Sequence, residues 1–425
     1  MIERHDSGFH APDAPSASMY DACVRCGLCL PSCPTYLETM TETSGPRGRI
    51  SLIKAVAEGE LDLLSPGFVE QMAQCLDCRA CEAACPSGVP YGAMLERART
   101  QIETAQAPMR PPLARTLRSL LLRTLFARLT RMRTLARLLG FAQRSGLTAL
   151  APLIGLGAAA QLAPRIPRRF FIANNQRIVA SPSQGVAFLH TGCVMHILFP
   201  NVHDASVRML QRAGLSVVIP RAQGCCGAIA IHAGDMEFGR NLARTTIEAF
   251  ERSGADVYVV NAAGCGSTLK AYGDLFAEVP AWTQRAQNFA ARVRDITEVL
   301  DAMPLPAPTQ RIDALVTYQE ACHLVHAQRV SAAPRRLLAQ IPGLRVVELS
   351  EAGLCCGGAG IYNLTQPEMS QRLLDRKIAC IQATGASIVA TANPGCAIQI
   401  AAGLRAAKKP TSVEHIVELL DRAYG

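Results

Sequence analysis

Two cysteine-rich runs lie near the start of the chain and share one spacing. Residues 23–34 read CVRCGLCLPSCP, and residues 75–86 read CLDCRACEAACP. Both follow the pattern Cys-x2-Cys-x2-Cys-x3-Cys-Pro, which is typical of loops that bind iron–sulfur clusters. A zinc site or a disulfide scaffold can produce one such run. Two complete copies, each ending in proline, argue against both alternatives.

The two runs together predict a pair of [4Fe–4S] clusters that exchange ligands. Three cysteines spaced two residues apart on one loop converge on one cluster, while the fourth reaches the other cluster. The first cluster is assigned Cys23, Cys26, Cys29 and Cys85. The second cluster is assigned Cys75, Cys78, Cys81 and Cys33.

The stretch between the runs predicts a helical domain instead of a small β-rich ferredoxin. It is too long for the β-rich type, and Pro46 and Pro66 each stand where a helix can begin. Arg47 and Arg49 follow the first of these prolines. They either offset the negative charge of a cluster or are ordinary solvated arginines.

The overall composition is that of a globular protein with several domains. The chain has 425 residues, of which 49% are hydrophobic and 18% charged, enough for about three domains. Eight of its 17 cysteines lie in the two metal-type runs. Because thiolate ligands need a reducing compartment, a cytoplasmic location is expected. Residues 1–18 lack the apolar core of a signal peptide and are predicted to form a flexible arm.

The net charge of +9 is concentrated in one segment. Residues 104–203 contain thirteen Arg and neither Asp nor Glu, so the rest of the chain is net acidic. Within residues 110–144, leucines recur three or four positions apart between arginines, which predicts a basic amphipathic helix or helix pair. It either docks on an anionic membrane surface or packs on its own domains or on an acidic partner. No pattern for binding nucleic acid accompanies it.

The uncharged stretch that follows, residues 145–164, is predicted to be a linker. It is rich in Gly and Ala and is broken by Pro152. These residues contribute little to membrane insertion, so a membrane-spanning helix is not expected here.

The second half of the chain repeats itself. Three landmark cysteines, Cys193, Cys225 and Cys265, recur 129, 130 and 131 residues later. The nearly constant offset predicts two tandem copies of one α/β unit. The expected fold is therefore α+β and multidomain, with a helical ferredoxin-like domain ahead of two α/β Cys-Cys-Gly domains. The predicted segments are an arm at 1–18, the ferredoxin-like domain at 19–105, a basic linker at 106–184, and Cys-Cys-Gly repeats at 185–305 and 306–425.

Eight cysteines of these repeats are predicted to lie at strand ends, where α/β units place their sites. Four soft ligands per copy suit a metal or a further iron–sulfur cluster, and buried structural or redox-active thiols are the alternative. These cysteines are Cys193, Cys225, Cys226, Cys265, Cys322, Cys355, Cys356 and Cys396. Cys380 lies outside the pattern and is expected to be a core thiol.

Five histidines lie near the same loops: His190, His196, His232, His323 and His326. A lone histidine is more often structural than a ligand. His323, beside Cys322, is the first to test for ligation or proton transfer.

Several motifs resemble the iron–sulfur subunit of glycolate oxidase (glycolate dehydrogenase), a family with Cys-Cys-Gly domains. They are the two cysteine runs, GPRGRISLIK from Gly45, GCCGA from Gly224, CHLVHAQ from Cys322, LCCGGAG from Leu354 and ANPGC from Ala392. Cys-Cys-Gly repeats also occur in subunits of heterodisulfide reductase, lactate-utilisation proteins and anaerobic glycerol-3-phosphate dehydrogenase. The heterodisulfide reductases add a fifth cysteine per copy, where this chain has Thr268 and Gln399.

The resemblance implies an electron-transfer subunit without a complete substrate site. A partner subunit containing FAD would oxidise glycolate to glyoxylate, and electrons would pass through two [4Fe–4S] clusters to a quinone-type acceptor. The complex would lie on the inner face of the cytoplasmic membrane. The chain itself carries no FAD or NAD fingerprint.

Three alternatives to this function remain. The first is a subunit of a related lactate or glycerol-3-phosphate dehydrogenase. The second is a thiol/disulfide catalytic subunit, which the missing fifth cysteines disfavour. The third is a sensor or scaffold with structural clusters, which the lack of a DNA-binding element disfavours.

Overall fold

The computed structural model of the chain describes residues 7–125, 129–155 and 163–425. The first six residues of the predicted arm and residues 156–162 of the predicted linker lie outside the described residues. The N-terminal part is a helical domain. Its helices are α1 (Ala17–Tyr20), α2 (Pro34–Thr39), α3 (Pro46–Ala57), α4 (Pro66–Gln74), α5 (Ala80–Ala83) and α6 (Tyr91–Gln106).

Proline and apolar spacing fix the helices of this domain. Helices α2, α3 and α4 each begin with proline, whose missing N–H costs nothing in the first turn. Helix α3 buries Ile53 and Val56 against Phe68 and Met72 of α4 and Met94 of α6. The first cysteine run (residues 23–34) precedes α2 and the second (residues 75–86) lies between α4 and α6, so this core sets how the runs face each other.

The arm predicted at 1–18 is packed on the domain from residue 7 onward, so the prediction of flexibility is wrong for this part. Phe9 is buried in the domain core, and the backbone at residue 10 forms hydrogen bonds with the side chain of Gln101. Asp13 is buried and pairs with Arg240 in the second half of the chain. One aromatic side chain and one buried ion pair anchor the segment, and neither is evident from local composition.

The linker contains the predicted helix pair, α7 (Pro112–Ser119) and α8 (Leu129–Arg144), with a π-helical segment (Leu120–Leu125) between them and a 3₁₀ segment (Leu147–Ile154) after them. Helix α8 buries Ala136 and Gly140. Arg133 on the same face donates to the carbonyl of Phe171. One face of α8 therefore packs on the chain itself.

The first repeat contains a five-stranded sheet in the order β1-β3-β2-β4-β5. The strands are β1 (Gln176–Ile178), β2 (Gly185–His190), β3 (Leu215–Ile219), β4 (Val257–Val260) and β5 (Val293–Asp295). All pairs are parallel except β1 with β3. Strand β1 falls inside the predicted linker, so the sheet begins earlier than the predicted boundary at 185. Three residues are too few to show strand periodicity in a sequence.

Eight helices accompany this sheet. They are α9 (Val194–Leu198), α10 (Pro200–Arg212), α11 (Ala228–His232), α12 (Met236–Ser253), α13 (Ala263–Lys270), α14 (Tyr272–Leu275), α15 (Pro280–Ala290) and α16 (Ile296–Ala302).

The second repeat has a parallel four-stranded sheet in the order β7-β6-β8-β9. Its strands are β6 (Ala314–Tyr318), β7 (Leu344–Val347), β8 (Ile388–Thr391) and β9 (Ser412–His415). A π-helical turn (His323–Ala327) follows Cys322. The helices are α17 (Ala332–Ala339), α18 (Tyr362–Thr365), α19 (Pro367–Ala383), α20 (Pro394–Ala406) and α21 (Ile416–Tyr424).

The two sheets share one strand order, β3-β2-β4-β5 in the first and β7-β6-β8-β9 in the second, which confirms the tandem repeat. The two repeats also share one hydrophobic core. Within the described ranges, each helix is too short or too polar to cross a bilayer.

Candidate metal centres

The four cysteines assigned to the first cluster line one cavity in the N-terminal domain. They are Cys23, Cys26, Cys29 and Cys85. Cys26 is exposed, so this cavity (the first cavity) lies near the surface. Arg47 also borders it. Its guanidinium donates to the carbonyl of Arg25 at 3.1 Å and pairs with Glu42.

The four cysteines assigned to the second cluster line a neighbouring cavity (the second cavity). They are Cys33, Cys75, Cys78 and Cys81, all buried. Cys81 borders both cavities. The structure thus brings together each predicted set, including the cysteine contributed by the other run.

Residues with positive φ turn both cysteine loops in the same way. In the first run they are Arg25 (φ 59°) and Gly27 (φ 85°), and in the second they are Asp77 (φ 52°) and Arg79 (φ 58°). These residues stand two and four positions after the first cysteine of each run. Left-handed residues reverse the local direction of a loop, which lets cysteines three positions apart face one cavity.

Arg49 shows that the second cavity suits an anionic group. Its side chain is 1% exposed and borders that cavity. It donates to the carbonyl of Gln71 at 2.8 Å and to the hydroxyl of Thr35 at 3.0 Å, while Nη2 has no hydrogen-bond partner among the described residues. Burial opposes its charge, but the sulfurs of Cys75 and Cys33 and the phenol of Tyr91 hold its pKa above the ordinary value. A buried cation without a carboxylate partner needs a compensating negative charge, and a thiolate-bound cluster carries one.

All eight cysteines of the repeats border a third, open cavity (the central cavity). It lies between the two repeats and the loop of the second cysteine run, since Cys75 and Asp77 also line it. In each repeat the cysteines follow the carboxyl ends of parallel strands, where α/β folds place their sites. The backbones of the two repeats meet beside these loops, where the N–H of Ala263 donates to the carbonyl of Ala392 at 3.0 Å.

A glycine with positive φ follows each Cys-Cys pair. Gly227 (φ 86°) donates its N–H to the sulfur of Cys225 at 3.5 Å, and Gly357 (φ 82°) is its counterpart. The sulfurs of Cys193 and Cys225 are 3.7 Å apart. Adjacent cysteines can face one site because the glycine allows a turn that side chains with a Cβ disfavour.

Contacts among the thiols of the first repeat favour thiolate at two of them. A hydrogen bond with Cys193 lowers the pKa of Cys225. The pKa of Cys265 is lowered to about 6, first by a hydrogen bond with Cys226 and also by His190. Thiolates are the form in which cysteine binds metal, so the first repeat is chemically suited to a soft metal or an iron–sulfur centre.

All five histidines near these loops contact protein groups. The Nε2 of His323 bonds to the carbonyl of Asp77 at 2.8 Å, and that of His326 to the carbonyl of Gly353 at 2.9 Å. His196 is buried against Arg133. These contacts favour structural roles for the three histidines. They include His323, which the sequence analysis named as the first to test for ligation or proton transfer.

His232 belongs to a buried ion-pair network that sequence reasoning missed. Its Nδ1 lies 3.0 Å from carboxylate oxygens of both Asp77 and Glu96, and the three ligand-type atoms lie within 4.8 Å of one another. Arg79 lies 3.8 and 3.6 Å from the same two carboxylates. The guanidinium already balances these charges, so the group serves as an ionic contact between the N-terminal domain and the first repeat.

The loop of the second cysteine run packs directly on the second repeat. Leu76 and Cys78 share one apolar cluster with Cys355 and Tyr362. The hydroxyl of Tyr362 also donates to the carbonyl of Gln74 at 2.7 Å. The second cavity is therefore adjacent to the cysteines of the second repeat.

Comparison with known proteins agrees with this architecture. A family model described as a 4Fe-4S dicluster domain matches residues 19–89, and a cysteine-rich domain matches residues 187–270 and 316–401. A model described as the linker region of the glycolate oxidase iron-sulfur subunit matches residues 113–163.

Three curated relatives are similar to the chain. The probable glycolate oxidase iron-sulfur subunit of Bacillus subtilis (strain 168) is 38% identical over 95% of this chain and 94% of its own length. The glycolate oxidase iron-sulfur subunit of Escherichia coli (strain K12) is 33% identical over 96% of this chain and 94% of its own. Lactate utilization protein A of an Exiguobacterium species is 31% identical over 55% of this chain and 96% of its own.

The fold, the cysteine-lined cavities and these matches define an iron–sulfur electron-transfer subunit, in which a dicluster domain precedes two cysteine-rich repeats. The chain belongs to the family of glycolate oxidase iron–sulfur subunits.

Proposed function

We propose that this chain carries electrons away from a glycolate-oxidising flavin subunit through two [4Fe–4S] clusters. The observation that carries the proposal is that each of two adjoining cavities is lined by one complete ligand set. Cys23, Cys26, Cys29 and Cys85 would hold the first cluster. Cys75, Cys78, Cys81 and Cys33 would hold the second.

The chemistry that such a cluster supplies is reversible uptake of an electron at a potential set by its surroundings. The residues of the chain fix those surroundings. Arg49 places a buried positive charge beside the second cavity, which favours the more negative, reduced state. Tyr91 directs its hydroxyl to the sulfur of Cys75 at 3.6 Å. The first cavity is more exposed and lacks such a buried cation among the described residues.

The surface around the first cavity suits the flavin partner. Val24 and Leu28, on the loop of the first cysteine run, are 69% and 60% exposed. Exposed apolar side chains beside a redox site are typical of a protein interface. The second cavity, in contrast, is covered by the second repeat. We therefore propose that electrons enter at the first loop and leave by way of the repeats.

The Cys-Cys-Gly repeats are proposed to hold further iron–sulfur centres. Four thiols per repeat face the central cavity, and two of those in the first repeat favour thiolate. A heterodisulfide-reductase-like site is disfavoured, because Thr268 and Gln399 replace the fifth cysteines. Gln399 is held by Ser370 and Asn363.

The choice of substrate rests on the relatives. Two relatives that span most of the chain are named for glycolate oxidase, which supports glycolate as the substrate of the complex. The FAD on the partner subunit and the quinone acceptor are further parts of the proposal. A lactate-oxidising complex is the second candidate, because proteins named for lactate utilization match about half of the chain. A 2-hydroxy-acid screen of the intact complex, purified without oxygen, separates the two.

Iron content and EPR of the anaerobic protein test the ligand sets. The N-terminal domain alone should contribute about eight irons. Cys29→Ser should remove the signal of one cluster, whereas Cys380→Ser should leave iron content and spectra unchanged, since Cys380 lies outside all three cavities. Four or fewer irons in the intact protein, or a normal spectrum in Cys29→Ser, would refute the assignment.

We further propose that the linker docks on an anionic membrane surface, as expected for delivery of electrons to quinone. Leu135, Leu138 and Phe141 lie on the face of α8 opposite its buried residues and are 51–62% exposed. Leu150 and Leu153, in the 3₁₀ segment that follows α8, are also exposed, at 54% and 81%. The surrounding segment carries no acidic residue, which complements anionic lipid.

Sedimentation with phosphatidylglycerol vesicles tests the membrane proposal. Replacing Leu135, Leu138 and Phe141 together with Ser should abolish binding. Leu364→Ser, which alters an equally exposed leucine on the second repeat, should not. Unchanged binding of the triple variant would refute lipid docking. If the triple variant still binds vesicles but no longer binds the partner subunits, the surface is instead an interface with a protein.

A further inference from the structure

The two repeats differ at one buried position beside their cysteine sites. The offset of 129 residues that relates Cys193 to Cys322 also relates His190 to Gln319. Both side chains are fully buried, with 1% and 0% exposure. An imidazole in one repeat and an amide in the other give the two sites different hydrogen-bonding groups.

The hydrogen bond to Tyr258 fixes the tautomer of His190. The hydroxyl of Tyr258 lies 2.7 Å from Nδ1 of His190. Tyr258 is fully buried, and its hydroxyl has no other acceptor among the described residues. The hydroxyl therefore donates to Nδ1, and the ring proton is on Nε2.

The Nε2 atom of His190 is a buried donor that points into the cysteine site. It has no hydrogen-bond partner within the described residues. A Cβ atom on Gly192 would lie 3.5 Å from this nitrogen and 3.8 Å from the sulfur of Cys265. Nitrogen and sulfur therefore flank one point, and glycine at 192 (φ 61°) leaves the space between them open. The second repeat has Ala321 at the equivalent position.

In the second repeat a different residue supplies the corresponding donor. The side chain of Gln319 is occupied, because its amide donates to the carbonyl of Glu320 and accepts from Thr391. Instead, Nδ2 of Asn393 donates to the sulfur of Cys396 at 3.4 Å. The first repeat has Ala262 in place of Asn393. A side-chain nitrogen thus lies near the last cysteine of each repeat, and it comes from a different loop in each.

We propose that His190 is a positioning residue that donates a hydrogen bond from Nε2 to the sulfur of Cys265 and thereby raises the reduction potential of the centre in the first repeat. The proposal rests on the proposed function, in which the repeats hold iron–sulfur centres. Hydrogen bonds to sulfur stabilise the added negative charge of the reduced state and are among the factors that set cluster potentials. The two repeats then hold centres tuned by different donors.

A redox titration of the anaerobic full-length protein, followed by EPR, tests this role. His190→Leu should keep the iron content and lower the potential of one centre. We expect the reduced-to-oxidised ratio of that centre to fall about tenfold at a fixed solution potential. This corresponds to a decrease in its reduction potential of about 59 mV for one electron. His190→Gln, which restores an N–H donor, should recover part of the shift. Asn393→Ala is the matched control and should shift a different centre.

A measurement on the unaltered chain keeps the proposal testable if the variants do not fold. In protein labelled with [¹⁵N]histidine, pulsed EPR should show one weak nitrogen coupling to a reduced centre, as a hydrogen bond through sulfur produces. A strong coupling would mean direct ligation, and no coupling would mean no contact. Either result would overturn the donor role.

The outcomes also separate this proposal from the proposed function. If the wild-type protein holds no iron beyond the N-terminal domain, the assignment of centres to the repeats fails and this proposal fails with it. If the repeats are fully loaded and His190→Leu leaves every potential unchanged, only the role of His190 is wrong.

Discussion

The contact between His232 and the carboxylates of Asp77 and Glu96 should weaken as the pH rises. Burial alone would lower the pKa of His232, but the two carboxylates outweigh it and raise the pKa to about 9. Both lie 3.0 Å from Nδ1, and the histidine side chain is about one quarter exposed. The pairing joins the loop of the second cysteine run to the first repeat, so its loss should loosen that junction.

The size of the effect follows from the displaced pKa. A group whose pKa is raised in the folded state gives its full stabilisation below its unfolded pKa and loses it as the pH rises through the folded value. For His232 this window runs from about 6.5 to about 9. At about 1.4 kcal/mol for each unit, the full contribution is about 3 kcal/mol, of which about 2 kcal/mol remains near pH 7.5.

Hydrogen–deuterium exchange can measure this contribution locally. After correction for the intrinsic exchange rate, the opening free energy of peptides from residues 75–81 and from α11 should fall steadily across this window. His232→Gln should abolish that slope. His415→Gln is the control: burial lowers the pKa of His415 to about 4, so it is neutral throughout and its loss should leave the slope intact. An equal slope in His232→Gln and the wild type would refute the reasoning.

Two further predictions concern the other sites. Arg49→Met should lower the reduction potential of the second cluster and destabilise the N-terminal domain by about 2–4 kcal/mol, because buried acceptors lose a charged donor. Arg49→Lys should restore part of the potential and part of the stability. Redox titration measures the potential, and urea unfolding measures the stability. Gly357→Ala should reduce iron in the second repeat more than Gly227→Ala does in the first. A Cβ on residue 357 would lie 2.6 Å from the carbonyl oxygen of Ser370, whereas a Cβ on residue 227 would lie 3.2 Å from the carbonyl oxygen of Gly239. Equal loss of iron in the two variants would contradict this steric argument.

Long-range contacts explain where sequence reasoning fell short. Strand β1 is three residues long and pairs only with β3, so its pattern is too short to recognise. The N-terminal segment is held by Phe9 and by the pair of Asp13 with Arg240. The sequence around Phe9 and Asp13 does not reveal these contacts, because the residues that they contact lie far along the chain.

Tertiary contacts also distinguish Arg47 from Arg49. The sequence offered no reason to separate two arginines at the start of one helix. In the fold, Arg47 pairs with Glu42 at the surface and borders the first cavity, whereas Arg49 is buried beside the second cavity. Helical geometry directs residues two positions apart to different sides, but only the packing shows which side is buried.

Two features of this protein could be predicted from local sequence: the cysteine ligand sets and the tandem repeat. Ligand spacing is a local property, so two cysteine runs were enough to predict two ligand sets, and a constant offset was enough to predict the tandem repeat. The tertiary structure was needed to show that both repeats face one central cavity, that the second cysteine run packs on the second repeat, and that Nε2 of His190 and the sulfur of Cys265 flank one space. These features depend on contacts between segments that are far apart in the sequence. The distances across such contacts cannot be inferred from any one stretch of the chain.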